Sequence, residues 1–422
     1  MPELDFSNEN SLYATHGLHS YAAKCPPHLV KYGLRYFSKP GERVLDPMVG
    51  SGTTLVEARL MGRHAVGYDI DPLARLIAEV KSTPIEDVRI EEAYETVTKR
   101  VSRDLKHLRS ATVSHALKAR ATPPNFPNRD YWFCPEVLET LSILSSHIQS
   151  VSTDRVVRNF LFVAFSSLIL AKTSVANARD IIHSRHHFFE HAESPNVMRR
   201  FETRVARMRS QMAEFRNKVQ NLPRTTIEAR IGDARSLKVH HESFDLVFSS
   251  PPYATALDYP RAHFLAVPWL KRSTGVNFDE YWANASRYIG SERGRLPSGF
   301  KVDSRLKHLD ISCSILEKLS VDSPSRAKLI QRYFVDMDNV MRRINSILKQ
   351  RRHAIIVVCP SHIRKTIVPT HEVLAEIAFH HGLNLKHSHT RTINKQRRLL
   401  PYLKKAFGKR MDLEYVLIFQ KQ

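Results

Sequence analysis

Arg43-Val44-Leu45-Asp46-Pro47-Met48-Val49-Gly50-Ser51-Gly52-Thr53-Thr54 reads as a strand that runs into a glycine-rich turn and then a helix. Such a turn lets backbone approach a ligand closely, without naming the ligand. Charge narrows the choice. No Gly-Lys-Ser/Thr follows, so a phosphate-binding lysine is missing, and Leu55 stands where the last glycine of Gly-x-Gly-x-x-Gly would be. The carboxylate of Asp46 beside the turn would repel a pyrophosphate and welcome a cationic ammonium or sulfonium.

Outward from the turn, a helix over Pro27 to Phe37, the strand at 43–46, a helix from Thr53 to Met61 and a strand at 64–69 make one βαβ unit. The second strand ends Val66-Gly67-Tyr68-Asp69-Ile70-Asp71-Pro72. It puts an acid about 20 residues beyond the turn, where nucleoside-binding sheets hold a ribose. Asp69 is the expected partner of the two ribose hydroxyls, because one carboxylate accepts from both.

Beyond Pro84 the pattern turns helical. Ile90, Tyr94, Val97, Val101, Leu105 and Leu108 recur at three- and four-residue steps, and Pro123, Pro124 and Pro127 end that segment. Helices are expected at 135–149, at 155–172 and after Ser194-Pro195. In the last, Met198, Phe201, Val205, Met208, Met212, Phe215 and Val219 form an apolar seam that needs a packing partner. Arg200, Arg204 and Arg207 form a second stripe, read as a solvated face, with phosphate contact as the sharper alternative.

Strand signals resume at 227–231, 245–248 and 353–359, so the helical block is an insertion within one sheet. An irregular stretch over 261–325, with Trp269, Tyr281, Trp282 and Tyr288 among basic residues, reads as a substrate-facing loop. Segments 383–391 and 413–419 read as a closing antiparallel pair around a basic connector.

The 422 residues are 42% hydrophobic, enough for a substantial core, and carry a formal charge of +22. That excess points to a polyanionic partner, first of all nucleic acid. A membrane is disfavoured, because the longest apolar run, Phe160 to Leu170, is broken by Ser166 and Ser167 and too short to span a bilayer. Met1-Pro2-Glu3-Leu4-Asp5 shows no secretory pattern, so a cytoplasmic protein is expected. Cys25, Cys134, Cys313 and Cys359 are scattered, which argues against a zinc ribbon or a disulfide framework.

A second motif follows the apolar run Phe244-Asp245-Leu246-Val247-Phe248: Ser250-Pro251-Pro252-Tyr253. It fixes a hydroxyl, a backbone carbonyl and a flat ring around one point, which suits a planar amine. An exocyclic base amine is a poor nucleophile because its lone pair is delocalised into the ring. Acceptors at its two N–H bonds favour a tetrahedral nitrogen with the lone pair aimed at an electrophile. Ser250 Oγ and the Pro251 carbonyl are the expected acceptors, Pro252 stiffens the loop, and Tyr253 stacks on the base. Attack through carbon 5 of cytosine is disfavoured, since no proline here is followed by the cysteine nucleophile.

Together the two loops resemble the S-adenosylmethionine-dependent DNA amino-methyltransferases, whose loops read Asp-Pro-Phe-x-Gly-Ser-Gly-Thr and Ser/Asn/Asp-Pro-Pro-Tyr. Met48 replaces the usual phenylalanine; a flexible thioether can still line the pocket. The resemblance implies a Rossmann-like class I methyltransferase fold, an α/β sheet that is mostly parallel with an antiparallel last strand and a large helical insertion. S-adenosylmethionine is then the cofactor, held by Asp46, Pro47, Met48, Gly50, Ser51, Gly52, Thr53 and Asp69. In Ile231-Gly232-Asp233-Ala234, Asp233 would accept from the adenine amine beside Ala234. His16 to Pro26 resembles the family's N-terminal motif, with Ser20, Ala22 and Cys25 departing from it, and makes Tyr21 and Lys24 lining residues.

The implied catalytic domain spans 1–84 and 225–422, with target recognition in the insertions at 85–224 and 261–325. The implied reaction is transfer of methyl to cytosine N4 in a base flipped out of double-stranded DNA. Serine in the first motif position goes mostly with cytosine in this family, whereas asparagine or aspartate goes mostly with adenine N6. Adenine N6, an RNA base, or a non-catalytic DNA-binding subunit are the alternatives. If the source is a prokaryote, the cytoplasmic enzyme would be associated with the nucleoid, and a cognate restriction endonuclease acting separately is a partner the resemblance allows. Basic residues from Asn394 to Arg410 resemble the family's closing loop and are expected to grip phosphates. His183, His186, His187 and His191 read as a solvated or phosphate-facing surface and not a metal site, since methyl transfer needs no metal.

Overall fold

Strands β1 (Arg43–Asp46), β2 (His64–Asp69), β3 (Ile227–Ile231), β4 (Phe244–Ser249), β5 (Leu348–Val358), β8 (Leu383–Thr392) and β9 (Leu413–Lys421) form one sheet in the order 3-2-1-4-5-9-8. The first five pair in parallel, and β9 runs antiparallel to both β5 and β8. This is the expected mostly parallel sheet with an antiparallel last strand. A separate hairpin joins β6 (Ser361–Ile363) to β7 (Thr366–Val368). The computed structural model describes residues 4, 6, 9–151, 154–169, 174–177, 193–254, 258–293, 298–363, 366–393 and 413–422. The histidines at 183–191 and the basic connector at 394–410 lie outside them.

β1 and β4 are neighbours, with Val44 opposite Leu246 and Leu45 opposite Val247. From β1 the chain moves outward to β2 and β3, while from β4 it moves the other way to β5. The sheet therefore reverses direction between β1 and β4, and such a reversal opens a crevice at the carboxyl ends of the strands. Both sequence motifs follow these two strands. Every residue of β4 is buried, as parallel strands covered on both faces require.

Helices α1 (Pro27–Phe37), α2 (Thr53–Leu60) and α3 (Pro72–Ser82) flank the sheet. Two glycines set their spacing. A Cβ on Gly33 of α1 would come within 2.8 Å of the Phe248 ring, and one on Gly52 within 2.7 Å of Ala78 Cα in α3. Gly52 also has φ +82°, so it serves helix packing and the turn at once.

The helical block contains α4 (Asp87–Leu108), α5 (His115–Ala121), α6 (Arg129–Trp132), α7 (Pro135–Ser150), α8 (Arg155–Ile169) and α9 (Val197–Val219). Helix α8 was expected to reach 172; the described part ends at Ile169, and 170–173 lie outside the described residues. The seam of α9 finds its partner inside this block: Phe201, Val205, Met208, Met212, Phe215 and Val219 are buried in one core with residues of α4, α7 and α8, and Met198 packs at its edge. Arg209 ties α9 to α4 through two bonds to Asp87, at 2.9 and 2.8 Å. The arginine stripe is less solvated than expected. Arg200 donates to the Ser174 carbonyl at 2.5 Å, Arg204 is half-buried, and only Arg207 is exposed.

The stretch 261–325 is not irregular. It holds part of α10 (Tyr259–His263), then α11 (Lys271–Thr274), α12 (Phe278–Ala283) and α13 (Asp310–Asp322), and it ends in the first turn of α14 (Pro324–Ile347), ahead of α15 (Thr370–His380). Its two ends go to different cores. Trp269 is buried with the helical block, 6.4 Å from the Phe126 ring and 6.0 Å from Phe165, whereas Leu309, Leu316 and Leu319 pack with Phe244 and Val247 of the sheet. Ser312 and Cys313 interrupt the apolar spacing of α13, and that hid the helix in the sequence.

Candidate functional site

The crevice between β1 and β4 opens into a cleft of about 880 Å³, part of it facing solvent. Of the residues singled out in the sequence, Tyr21, Lys24, Asp46, Pro47, Met48, Gly50, Ser51, Thr53, Asp69, Asp233, Ala234, Ser250 and Pro252 line it. Gly52, Pro251 and Tyr253 are not among the lining residues. Gly52 is turned toward α3, as described above. The Tyr253 hydroxyl donates to Glu414 Oε1 on β9 at 2.7 Å.

Asp46 is 5% exposed. It accepts from Thr54 Oγ1 at 2.6 Å, Ser249 Oγ at 2.9 Å and Met48 N at 3.2 Å. Burial pushes its pKa up to about 6 against the pull of those hydrogen bonds. Asp69 accepts from Gly50 N and Asp71 N, both at 2.8 Å, one on each carboxylate oxygen. Each oxygen keeps a lone pair for a further donor. Burial, reinforced by the charge of Asp71, pushes Asp69 up to about 7. Asp69 therefore shapes the glycine turn and still offers the paired acceptors that a ribose diol needs.

Asp233 is held by Arg235, whose Nε and second guanidinium nitrogen reach it at 2.8 and 2.6 Å while the first reaches Asp336 of α14 at 2.8 Å. Burial raises the Asp233 pKa, but the Arg235 bonds outweigh it and the net shift is downward. Lys24 Nζ donates to the carbonyls of His16 at 3.1 Å and His19 at 3.2 Å, and burial lowers its pKa to about 8.

The sequence reading gave no site role to Asp71, Tyr259, Arg287 or Ile289, which line the cleft together with Tyr288 of the stretch read as substrate-facing. Asp71 is the hub. Its Oδ1 caps α3 by accepting from Leu73 N at 2.8 Å and Ala74 N at 3.0 Å. Its Oδ2 meets His263 Nδ1 at 2.9 Å and the hydroxyls of Tyr281 and Tyr288 at 3.2 Å each. Burial opposes its charge, yet His263 and the backbone donors bring its pKa below the usual value. The signal for the cap was present, since aspartate before proline is a helix-start pattern; nothing local announced the three long-range donors.

The family described as N6_N4_Mtase, a DNA methylase, matches residues 4–79, which hold the N-terminal motif and the glycine turn. The type II methyltransferase M.MvaI of Kocuria varians is 26% identical over 408 residues, covering 93% of this chain and 87% of that protein. Both matches support an S-adenosylmethionine-dependent DNA amino-methyltransferase of the N4/N6 family. Another relative in the same class is the type II methyltransferase M.BsoBI of Geobacillus stearothermophilus, 25% identical over 246 residues, or 54% of this chain and 47% of that protein. Among solved structures, the rRNA methyltransferase aviRa of Streptomyces viridochromogenes is 10% identical over 96% of this chain and 88% of its own, with a TM-score of 0.28, too low to bear on the fold or the substrate. This amino-methyltransferase is thus a DNA-modifying enzyme, and S-adenosylmethionine is its cofactor. The cleft fits that cofactor. Acceptors for a diol stand on Asp69, and a desolvated carboxylate on Asp46 stands where a cation would restore its charge.

The raised pKa values carry a pH prediction. Asp69 and Asp46 hold protons in the free protein up to about 7 and about 6, so a cationic ligand that needs them ionised must displace protons below those values. Their contribution to the stability of the free protein runs the opposite way to cofactor binding: it is full below the unfolded carboxylate pKa and fades as pH rises through about 6 and then about 7. S-adenosylmethionine binding is expected to tighten from pH 5 toward 7.5, by about tenfold per pH unit for each proton released, and then level off. Calorimetry in buffers of different ionisation enthalpy measures the released protons; a flat affinity with no proton release would contradict the assignment.

Proposed function

We propose that this amino-methyltransferase modifies the exocyclic N4 of cytosine in double-stranded DNA, on a nucleotide flipped out of the helix. The observation that carries this reading is that Ser250, following β4, and the Asp46 turn, following β1, face one cleft at the point where the sheet reverses. The cofactor supplies an electrophilic methyl group on a sulfonium. Ser250 Oγ and the Pro251 carbonyl accept from the two amine hydrogens and localise the nitrogen lone pair, the N–C bond forms as the C–S bond breaks, and one amine proton leaves to water. Pro252 holds the loop in shape, and the ring of Tyr253 stacks on the extruded base.

In the same reading Asp69 takes the ribose hydroxyls and Asp233, already braced by Arg235, takes the adenine amine. Tyr21, Lys24, Pro47, Met48, Gly50, Ser51, Thr53 and Ala234 close around the cofactor, with Gly52 acting through the turn. Target recognition falls to the helical block at 85–224 and the first part of the 261–325 insertion, because the buried Trp269 joins the two into one body beside the cleft. A hydroxyl at position 250, in place of the amide or carboxylate that accompanies adenine, favours cytosine. Location on the nucleoid and a companion endonuclease with the same target belong to the proposal as well.

Nuclease digestion of DNA treated with the protein and S-adenosylmethionine is expected to release N4-methylcytosine. Release of N6-methyladenine alone would move the substrate to adenine and leave the site intact. Label entering RNA and not DNA would overturn the reading.

A further inference from the structure

Tyr253, like Pro251, belongs to the catalytic loop without lining the cleft, and its surroundings are unusual. Its hydroxyl donates to Glu414 Oε1 at 2.7 Å. Glu414 stands on β9 directly opposite Arg391 on β8, and Arg391 Nη1 lies 3.0 Å from Glu414 Oε2. Both charged residues are only 9% exposed. From the other side, Gly290 packs on the Tyr253 backbone: a Cβ there would come within 3.2 Å of the carbonyl oxygen.

A desolvated arginine–glutamate pair is weak evidence for stability, because apolar side chains of similar volume do as well or better. It does give direction. The cross-strand arginine holds one carboxylate oxygen, which leaves the other aimed at a single donor, and that donor is the phenol of the catalytic loop. A tyrosine held at its hydroxyl cannot swing about its Cα–Cβ bond without breaking that hydrogen bond, so the place of the ring is fixed.

We propose that Glu414, oriented by Arg391, is a positioning residue that fixes the ring of Tyr253 for the extruded base. This rests on the function proposed above. Glu414 touches neither substrate nor cofactor; it acts through Tyr253. The requirement is for an acceptor at Glu414 and a hydroxyl at Tyr253, not for charge as such.

The test compares Glu414→Gln, Glu414→Ala, Tyr253→Phe and the Glu414→Ala/Tyr253→Phe double variant in the full chain. S-adenosylmethionine affinity reports folding and is expected to match the parent in all four. Methyl transfer to DNA is expected to lose tenfold or more in kcat, with KM for DNA changing less, in Glu414→Ala and in Tyr253→Phe. Glu414→Gln, which keeps an acceptor oxygen, recovers most of that loss. The double variant falls no further than either single one, since both remove the same bond. A Glu414→Ala protein with parental kcat, or a double variant whose losses multiply, overturns the proposal.

A second readout does not depend on turnover. In protein labelled with 3-fluorotyrosine, the fluorine resonance that disappears in Tyr253→Phe is expected to shift in Glu414→Ala and to stay close to its parental position in Glu414→Gln. An unmoved resonance in Glu414→Ala overturns the proposal. A parent that shows the shift but methylates no DNA removes the proposed function and leaves the positioning bond standing.

Discussion

Asp71→Ala lowers the stability of this protein by about 3–5 kcal/mol, the range found when a buried charged partner is removed from a hydrogen-bonded group. Oδ1 caps α3 through Leu73 N and Ala74 N, and loss of an aspartate cap alone costs about 1 kcal/mol. Oδ2 gathers His263 Nδ1 and the hydroxyls of Tyr281 and Tyr288, and each buried donor left without an acceptor costs about 1–3 kcal/mol. These terms overlap, because the freed groups relax together, so they do not sum. Tyr281 keeps the Pro260 carbonyl as an acceptor at 2.8 Å, whereas Tyr288, only 6% exposed, gives water little access to replace the acceptor it loses. Denaturant unfolding of the variant is expected to show a lower midpoint with the slope preserved. Asp71→Asn, which keeps acceptor oxygen but loses the charge, falls between. An alanine variant within 1 kcal/mol of the parent would remove Asp71 from its place as the hub.

Ser250→Ala is expected to lower kcat by about 10²–10³, the loss seen when one preorganised hydrogen-bonding group is removed from a reacting centre. The hydroxyl is one of two acceptors proposed to localise the amine lone pair, and without it the Pro251 carbonyl holds one N–H alone. Because Ser250 is half-buried at the cleft wall, the substitution leaves no buried group orphaned. Cofactor affinity, which the proposal assigns to Asp46 and Asp69, is expected to stay unchanged. Transfer within about threefold of the parent would count against the role given to Ser250. The two variants fail differently: one is unstable and the other folds, binds cofactor and turns over slowly.

The distinction follows what each residue does. Ser250 was legible as a cleft residue because it lies in a contiguous tetrapeptide after a buried strand. Asp46 and Asp69 were legible for the same reason, each closing a strand beside a turn. Asp71 was not, because its partners lie 192 to 217 residues away on an insertion whose aromatic residues read only as a substrate-facing loop. Tyr253 shows the converse. The motif named it, yet its hydroxyl partner is 161 residues distant, and no periodicity links the middle of the chain to its last strand.

The order of strands and turns, the helix faces and the acid at each strand end were written locally. Apolar period and turn chemistry act over a few residues and need no distant partner. The meeting of the two loops was decided only by folding. It depends on β1 and β4 pairing across some 200 residues of intervening chain, and parallel pairing has no hairpin to announce it. The joining of the two insertions through Trp269, and the burial of α13 against the sheet, likewise followed from which apolar surfaces found each other once the chain had collapsed.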